Sequence, residues 1–295
     1  MFLANNWKDY EILYAGDGMK YERWGEVTLL RPDPQAVWPL ISEGSRITFD
    51  DLERPYAKYN RSNSGGGAWQ INKKFPDNWH VSYNSLGKTL TFNIEPTAFK
   101  HTGLFPEQAA NWDFAGRLIE ESGRDDIKIL NLFAYTGAAT AACAAHGAAE
   151  TVHVDASKGM NAKAKQNIIS SGLSDCYVRF IAEDCRKFVE REIRRGRKYD
   201  GIIMDPPSYG RGPSGELWKL EDSFYDFAKE AAELLSDNPL FFIASSYATA
   251  ITCEASGQIL KLALPEGRVD AQELGIPVTH MGINLPCGAT ARWTP

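Results

Sequence analysis

The sequence predicts an α/β protein, a mostly parallel sheet of about seven strands with helices on both faces, preceded by a small antiparallel β domain. Three observations carry this. Apolar runs alternate with helical patterns from Ile127 onward, whereas helical periodicity is scarce before Ile94. Gly137, Asp155, Asp184 and Asp205 each stand just past one of four successive apolar runs. Ligands of a parallel α/β sheet bind beyond the carboxyl ends of the strands, so residues at those ends converge on one crevice although they are far apart in sequence.

The amino-terminal part, from Trp7 to Ile94, is rich in aromatics, glycine and proline, with candidate strands at Gly25 to Leu30 and Thr89 to Ile94. Turn signals at Gly16-Asp17-Gly18, Pro32-Asp33-Pro34 and Asn84-Ser85-Leu86-Gly87 separate its strands. The run Arg61 to Gly67 reads as a flexible surface loop. After Pro106, apolar residues at helical spacing predict a helix over Glu107 to Glu120 that stops at Ser122-Gly123. Strands are then expected at Ile127 to Phe133, Thr151 to Val154, Tyr177 to Ile181, Tyr199 to Met204 and Leu240 to Ser245. The helices that follow them are expected at Ala138 to His146, Lys158 to Ser170, Cys185 to Arg195, Leu220 to Leu235 and Thr249 to Leu264. The tail from Arg268 to Trp293 supplies a closing hairpin, and the boundary between a small β domain (1–98) and the sheet domain (99–295) falls just before Phe99. No internal repeat is present.

The composition, 43% hydrophobic and 24% charged, is that of an ordinary globular protein, and no stretch reaches the roughly 18 apolar residues of a membrane span. Met1 to Lys8 lacks the charged and then apolar run of a signal peptide, so a cytoplasmic protein with no membrane partner is expected. The five cysteines, Cys143, Cys176, Cys185, Cys253 and Cys287, form no Cys-x-x-Cys pair. Neither a disulfide framework nor a metal site is expected. A net charge of −6 counts against a protein that coats nucleic acid, while leaving room for local basic surfaces.

Phe133 to Thr140 reads as a strand end, a tight turn and an alanine-rich helix start. It lacks the Gly-x-Gly-x-x-Gly that brings backbone amides against a pyrophosphate, so a nucleotide-like ligand without one fits better. Asp155 ends the second strand, where an acid accepts hydrogen bonds from ribose hydroxyls; a cap on the helix after Ser157 is the alternative, and the two roles are compatible.

At this point the residues resemble a family, the class I S-adenosylmethionine-dependent methyltransferases with their Rossmann-like sheet, and within it the 23S ribosomal RNA cytosine-C5 and guanine-N7 enzymes. Asn131 to Gly137, Asp155-Ala156-Ser157, Ala182 to Cys185 and Asp205 to Gly212 are similar to its motifs and occur in its order. The upstream Lys100 to Gln108 is similar as well. The resemblance implies S-adenosylmethionine as cofactor and needs no metal. It places Gly137 against the methionine part, lined by Phe133, Ala134, Tyr135 and Thr136, and Asp155 on the ribose with Ala156 and Ser157 beside it. The Asp184 side chain and the Cys185 amide would read the adenine.

Asp205-Pro206-Pro207-Ser208-Tyr209 is then the catalytic segment. Its prolines remove amide donors and stiffen the turn, leaving carbonyls and a carboxylate for the acceptor, which suits an amino or ring nitrogen. Ser208 stands where amino-group methyltransferases commonly carry a base-stacking aromatic, with Tyr209 one residue later. Cytosine-C5 chemistry needs a thiolate that adds to C6, and in the cytosine-C5 enzymes that this chain resembles the cysteine follows the fifth strand; here Ser245 stands where it would be expected, with Cys253 belonging to the next helix. The basic run Arg186 to Lys198 is read as a solvated helix face paired with Glu190 and Glu192, and Trp69, Trp79, His80 and Tyr83 either stack RNA or pack a core. The expected activity is base methylation in RNA, ribosomal RNA favoured and a base nitrogen favoured over C5. A small-molecule or protein methyltransferase and a non-catalytic cofactor-binding module are the alternatives.

Overall fold

A computed structural model describes residues 1–62, 66–97, 100–211 and 217–295. Asn63, Ser64 and Gly65 of the expected loop, Ala98 and Phe99 at the expected domain boundary, and Gly212 of the acid–Pro–Pro motif lie outside the described residues. The amino-terminal strands are β1 (Phe2–Leu3), β2 (Tyr10–Gly16), β3 (Met19–Trp24), β4 (Val27–Pro32), β5 (Ile41–Ser42), β6 (Ser45–Arg46), β7 (Ala57–Arg61), β8 (Gly67–Ile71), β9 (His80–Ser85) and β10 (Lys88–Asn93). A 3-10 turn (Pro106–Gln108) opens α1 (Ala109–Glu121), followed by β11 (Lys128–Leu132), α2 (Ala138–Ala145), β12 (Glu150–Asp155), α3 (Lys158–Ser170), β13 (Val178–Ala182) and α4 (Cys185–Arg194). The rest comprises β14 (Gly201–Met204), β15 (Tyr209–Arg211), β16 (Leu217–Lys219), α5 (Leu220–Ala232), β17 (Phe241–Ser246), α6 (Cys253–Ala263), β18 (Arg268–Val278) and β19 (Ile283–Thr294).

The seven expected strands are adjacent in the order β13, β12, β11, β14, β17, β19, β18. The first five are mutually parallel, and β19 runs antiparallel between β17 and β18. Alternate residues of each central strand face opposite cores. Leu130, Leu132, Ile202, Met204, Phe242 and Ala244 pack under α4, α5 and α6, whereas Ile129, Ile203, Phe241 and Ile243 pack under α1 and α2. Each large side chain among these contributes about 1.5–3 kcal/mol by its burial.

The amino-terminal strands do not form a separate sheet. Val278 of β18 pairs with Ile12 of β2, and the order continues through β3, β4, β7 and β8, giving thirteen strands with β1 beside β18. The edge of β18 thereby receives a partner from the start of the chain. One hairpin was not anticipated: β15 and β16 follow the acid–Pro–Pro turn, and Trp218 Nε1 donates back to the Pro207 carbonyl at 2.7 Å. The helix expected from Thr249 starts instead at Cys253, because the Thr252 hydroxyl accepts from the Ala255 amide and caps it there.

The hairpin of β9 and β10 leaves the main sheet and lies on α1, α2 and α3. Polar clamps hold it. Tyr83 OH and Ser85 Oγ donate to the Asp113 carboxylate at 2.6 and 2.8 Å, Ser85 Oγ also meets His146 Nε2 at 2.9 Å, and Asn93 Nδ2 donates to Asn167 Oδ1 at 3.0 Å. His146 fits beside α1 only because residue 116 is glycine, since a Cβ there would lie 2.3 Å from the imidazole Cδ2. Gly116→Ala is accordingly expected to lower stability by about 1–3 kcal/mol through overpacking. A urea midpoint equal to that of the native protein would contradict this.

Trp79 packs inside the amino-terminal core with its Nε1 on the Trp24 carbonyl at 3.0 Å and Phe75 stacked on its ring, and Tyr83 is buried. Core packing is therefore the role of these two aromatics. Among the described residues no helix is long and apolar enough to cross a membrane.

Candidate active site

The chain leaves β11 through an unusual backbone. Phe133 (φ 54°), Tyr135 (φ 50°) and Gly137 (φ 81°) all adopt left-handed conformations, which cost a non-glycine residue about 1–2 kcal/mol each. Neighbouring strand ends compensate. The Ala134 amide donates to the Val154 carbonyl at 3.0 Å, the Tyr135 amide to Asp155 Oδ2 at 3.0 Å, and the Phe133 amide meets Cys185 Sγ at 3.2 Å. Gly137 is required twice over, by its φ and by α3, because a Cβ would stand 2.8 Å from the Ala164 Cβ. Thr136 turns away, donating from Oγ1 to the Gly103 carbonyl at 2.6 Å.

Asp155 is anchored rather than free. Oδ1 accepts from the Ser157 amide at 2.8 Å and Oδ2 from Tyr135, so each oxygen keeps a further acceptor site. Burial raises its carboxyl above the ordinary value and the two amides oppose that. Ser157 is exposed and caps α3 by accepting from the Met160 amide. Asp184 caps α4 in the same way, Oδ1 accepting from Lys187 N at 3.1 Å, while the buried Cys185 thiol is pushed well up by desolvation.

Asp205 follows β14, with Pro206 buried and Pro207 exposed behind it. Burial first, and then the nearby Glu107 carboxylate, lift the Asp205 carboxyl to about 7. Gln108 Nε2 reaches both Asp205 Oδ2 (3.4 Å) and Tyr247 OH (3.0 Å), and Tyr247 OH donates to Glu107 Oε1 at 3.0 Å. Glu107 is itself buried, which raises its own carboxyl. Not all of the turn's carbonyls are open to an acceptor, contrary to the sequence-based expectation. Trp218 takes the Pro207 oxygen and the Leu220 amide takes that of Ser208 at 3.1 Å.

These groups open into one crevice of about 830 Å³. Phe133, Tyr135, Asp155, Ala156, Asp184, Cys185 and Asp205 to Ser208 all line it, whereas Ala134, Thr136 and Gly137 line an adjoining cavity of about 60 Å³. Ser157 and Tyr209 line neither, and Tyr209 is 57% exposed. The sequence reading missed Phe105, Trp218 and Tyr247 on the crevice wall, and Lys20 and Arg31, which β3 and β4 bring from the amino-terminal strands. Tyr247 follows β17 directly and obeys the strand-end rule that located the others. Lys20 and Arg31 carry no local signal. His101, also on the wall, is pushed down to about 4 by burial and the adjacent Lys100, and is neutral at physiological pH.

Ser245 lies outside the lining, buried against Thr290 Oγ1 (3.2 Å) and Asn111 Nδ2 (3.3 Å). Cys253 opens α6, and Cys287 does line the crevice, with its thiol raised far above the usual range by desolvation. In the basic run the pairs are Arg186 with Glu230, Arg191 with Glu183 and Arg195 with Glu192. Glu192 is thus a partner as expected; Arg186 and Arg191 pair off the predicted face. Among the described residues no group of three or more His, Cys, Asp or Glu side chains could hold a metal ion.

A family model described as S-adenosylmethionine-dependent methyltransferase matches residues 65–239. In solved structures the chain is similar to the S-adenosylmethionine-dependent methyltransferase of Agrobacterium tumefaciens, with a TM-score of 0.88 and 32% identity over 99% of this chain and 92% of that one. It is also similar to the ribosomal RNA large subunit methyltransferase K/L of Shewanella sp. (strain MR-4), 31% identical over 49% of this chain and 19% of the relative. The enzyme of that name from Syntrophotalea carbinolica is 31% identical over 53% of this chain and 21% of the relative. The chain therefore spans about a fifth of the length of these curated relatives.

Proposed function

Because the chain belongs to the S-adenosylmethionine-dependent methyltransferase family, we propose that it methylates a nitrogen of an RNA base, ribosomal RNA being favoured. The observation that carries this reading is that Asp205, with its carboxyl lifted to about 7, opens into the same crevice as Asp155. The cofactor fits the residues present. Asp155 retains an acceptor site on each oxygen, Phe133, Tyr135, Asp184 and Cys185 line the same crevice, and the crevice exceeds what one nucleoside needs. When bound, S-adenosylmethionine supplies a methyl group on a positively charged sulfur, already activated for transfer.

The protein's part is to hold, orient and exclude water. Asp155 accepts the ribose hydroxyls, with Ala156 and Ser157 completing the turn. Asp184 and the Cys185 amide meet the adenine edge. Phe133, Ala134, Tyr135, Thr136 and Gly137 shape the methionine side. Asp205, between Pro206, Pro207 and Ser208, accepts the hydrogen bond of an acceptor N–H and takes its proton as the new N–C bond forms. Gln108 and the Tyr247–Glu107 pair position that carboxyl. Phe105 lies 5.4 Å from the Tyr135 ring and 5.7 Å from the Tyr247 ring, an aromatic wall that suits a base. Tyr209, exposed, serves the outer rim.

A nitrogen is favoured over cytosine C5 because Ser245 is buried and hydrogen-bonded, and because desolvation keeps the Cys287 thiol from becoming a thiolate. The 1–98 segment is assigned to substrate recognition and 99–295 to methyl transfer. The RNA assignment, and the cytoplasmic setting that goes with it, draws support from the names of the relatives. Incubation with labelled S-adenosylmethionine and ribosomal RNA, total transfer RNA, protein extract or metabolites tests it. A labelled N-methyl nucleoside on mass spectrometry is expected from ribosomal RNA. Label confined to protein or metabolites, or cofactor binding without transfer to any pool, would replace the proposal with one of its alternatives.

A further inference from the structure

We infer that Lys100, together with Lys20 and Arg31, forms a phosphate subsite of the crevice that holds a phosphate group of the methyl acceptor. The inference deepens the RNA reading and rests on it for the identity of the acceptor.

All three cations line the crevice. The carboxylates near them are already committed. Glu22 is fully buried, bound by Arg31 Nε and Nη2 at 2.6 and 2.8 Å and by Tyr10 OH at 2.7 Å, with Lys20 Nζ at 3.4 Å. Asp33 faces Lys20 at 3.2 Å. Arg31 also donates from Nη1 to the Lys100 carbonyl at 2.8 Å, so the three cations are mechanically joined.

Lys100 is the one left over. Its ammonium has neither a hydrogen bond nor an ion pair among the described residues, and Lys20, Arg31 and Arg61 place further positive charge around it, with Asp33 opposing. Burial and those cations lower its pKa accordingly. A half-buried ammonium in a positive surrounding is unfavourable unless an anion completes it. The neighbouring His101 is neutral, and Asp33 is paired with Lys20. The excess is local, since the whole chain carries a net charge of −6.

An acceptor phosphate suits this place better than the carboxylate of the cofactor's methionine part. Lys100 lines the large crevice and not the cavity beneath the Gly137 turn, and its partners come from β3 and β4 rather than from the strand ends that carry Asp155 and Asp184. Phe105, Tyr247 and Asp205 line the same crevice as Lys100.

The test uses the whole protein, Lys100→Gln and Lys100→Arg, each checked for folding by its thermal midpoint. Calorimetric titration with inorganic pyrophosphate at low salt is expected to show about tenfold weaker binding for Lys100→Gln and recovery in Lys100→Arg. S-adenosylmethionine affinity is expected to hold in both. With ribosomal RNA lacking the methyl group as acceptor, the loss should fall on KM more than on kcat, and the salt slope should drop by about one. Equal pyrophosphate binding in all three proteins would overturn the subsite. Loss of S-adenosylmethionine affinity in Lys100→Gln would assign the anion to the cofactor and overturn it equally. Lys100-dependent pyrophosphate binding without RNA methylation would uphold the subsite and remove the RNA reading instead.

Discussion

Asp205→Asn is expected to lower the methyl-transfer rate by about 10²–10⁴-fold, the range for loss of a positioned general base, while S-adenosylmethionine affinity changes little. The substitution preserves the shape of the side chain and its contact with Gln108 Nε2, but it removes the carboxylate that directly follows β14. Single-turnover kinetics with saturating cofactor measures the effect. Equal losses in turnover and cofactor affinity would argue against a role at the acceptor.

A pH dependence accompanies it. Burial and the Glu107 carboxylate raise Asp205, so the ionised form that accepts a proton accumulates only as pH passes about 7. Activity of the native enzyme should rise through that region and level off above it, and the Asn variant should lose the inflection. Glu107→Gln removes the neighbouring like charge, so the inflection should move to lower pH. A native profile without an inflection between pH 6 and about 8 would count against Asp205 as the base.

Asp155→Ala is expected to weaken S-adenosylmethionine binding by about 100-fold or more. Two hydrogen bonds to a charged acceptor contribute about 1.5–3 kcal/mol each, and 1.36 kcal/mol is tenfold. A second loss adds to the first. The Tyr135 and Ser157 amides lose their acceptor, and the left-handed turn at Phe133 and Tyr135 loses one of its anchors. Asp155→Asn, which keeps one acceptor oxygen, should fall between the two. Calorimetric titration reads both variants, and an unchanged Kd for Asp155→Ala would refute the ribose assignment.

Much of the crevice was legible because its signals are local. Gly137, Asp155, Asp184 and Asp205 follow apolar runs whose length and period mark strands, and parallel pairing carries all four ends to one edge. The helices expected at Lys158 and Cys185 start there, but the cap of the first is Ser157 and not Asp155, the residue weighed for it, and Asp184 caps the second without having been read as a cap. The orientation of particular side chains was not legible. Thr136 and Ser157 spend their hydroxyls on Gly103 and the Met160 amide, and Tyr209 points outward from a hairpin whose partner strand, Leu217–Lys219, lacks a distinct apolar run.

The sequence by itself thus determined the seven-strand order of elements, the strand-end crevice and the family, because these depend on periodicity, capping and short motifs. Only the tertiary structure decided that β2 joins β18, and with it that Lys20 and Arg31 stand on the same wall as Lys100 and Asp205. It alone raised Asp205 by burial beside Glu107, and it sealed Ser245 between Asn111 and Thr290. The physical reason is common to all three. Strand partnership, desolvation and charge proximity are set by residues tens to hundreds of positions apart, and no local pattern of side chains encodes them.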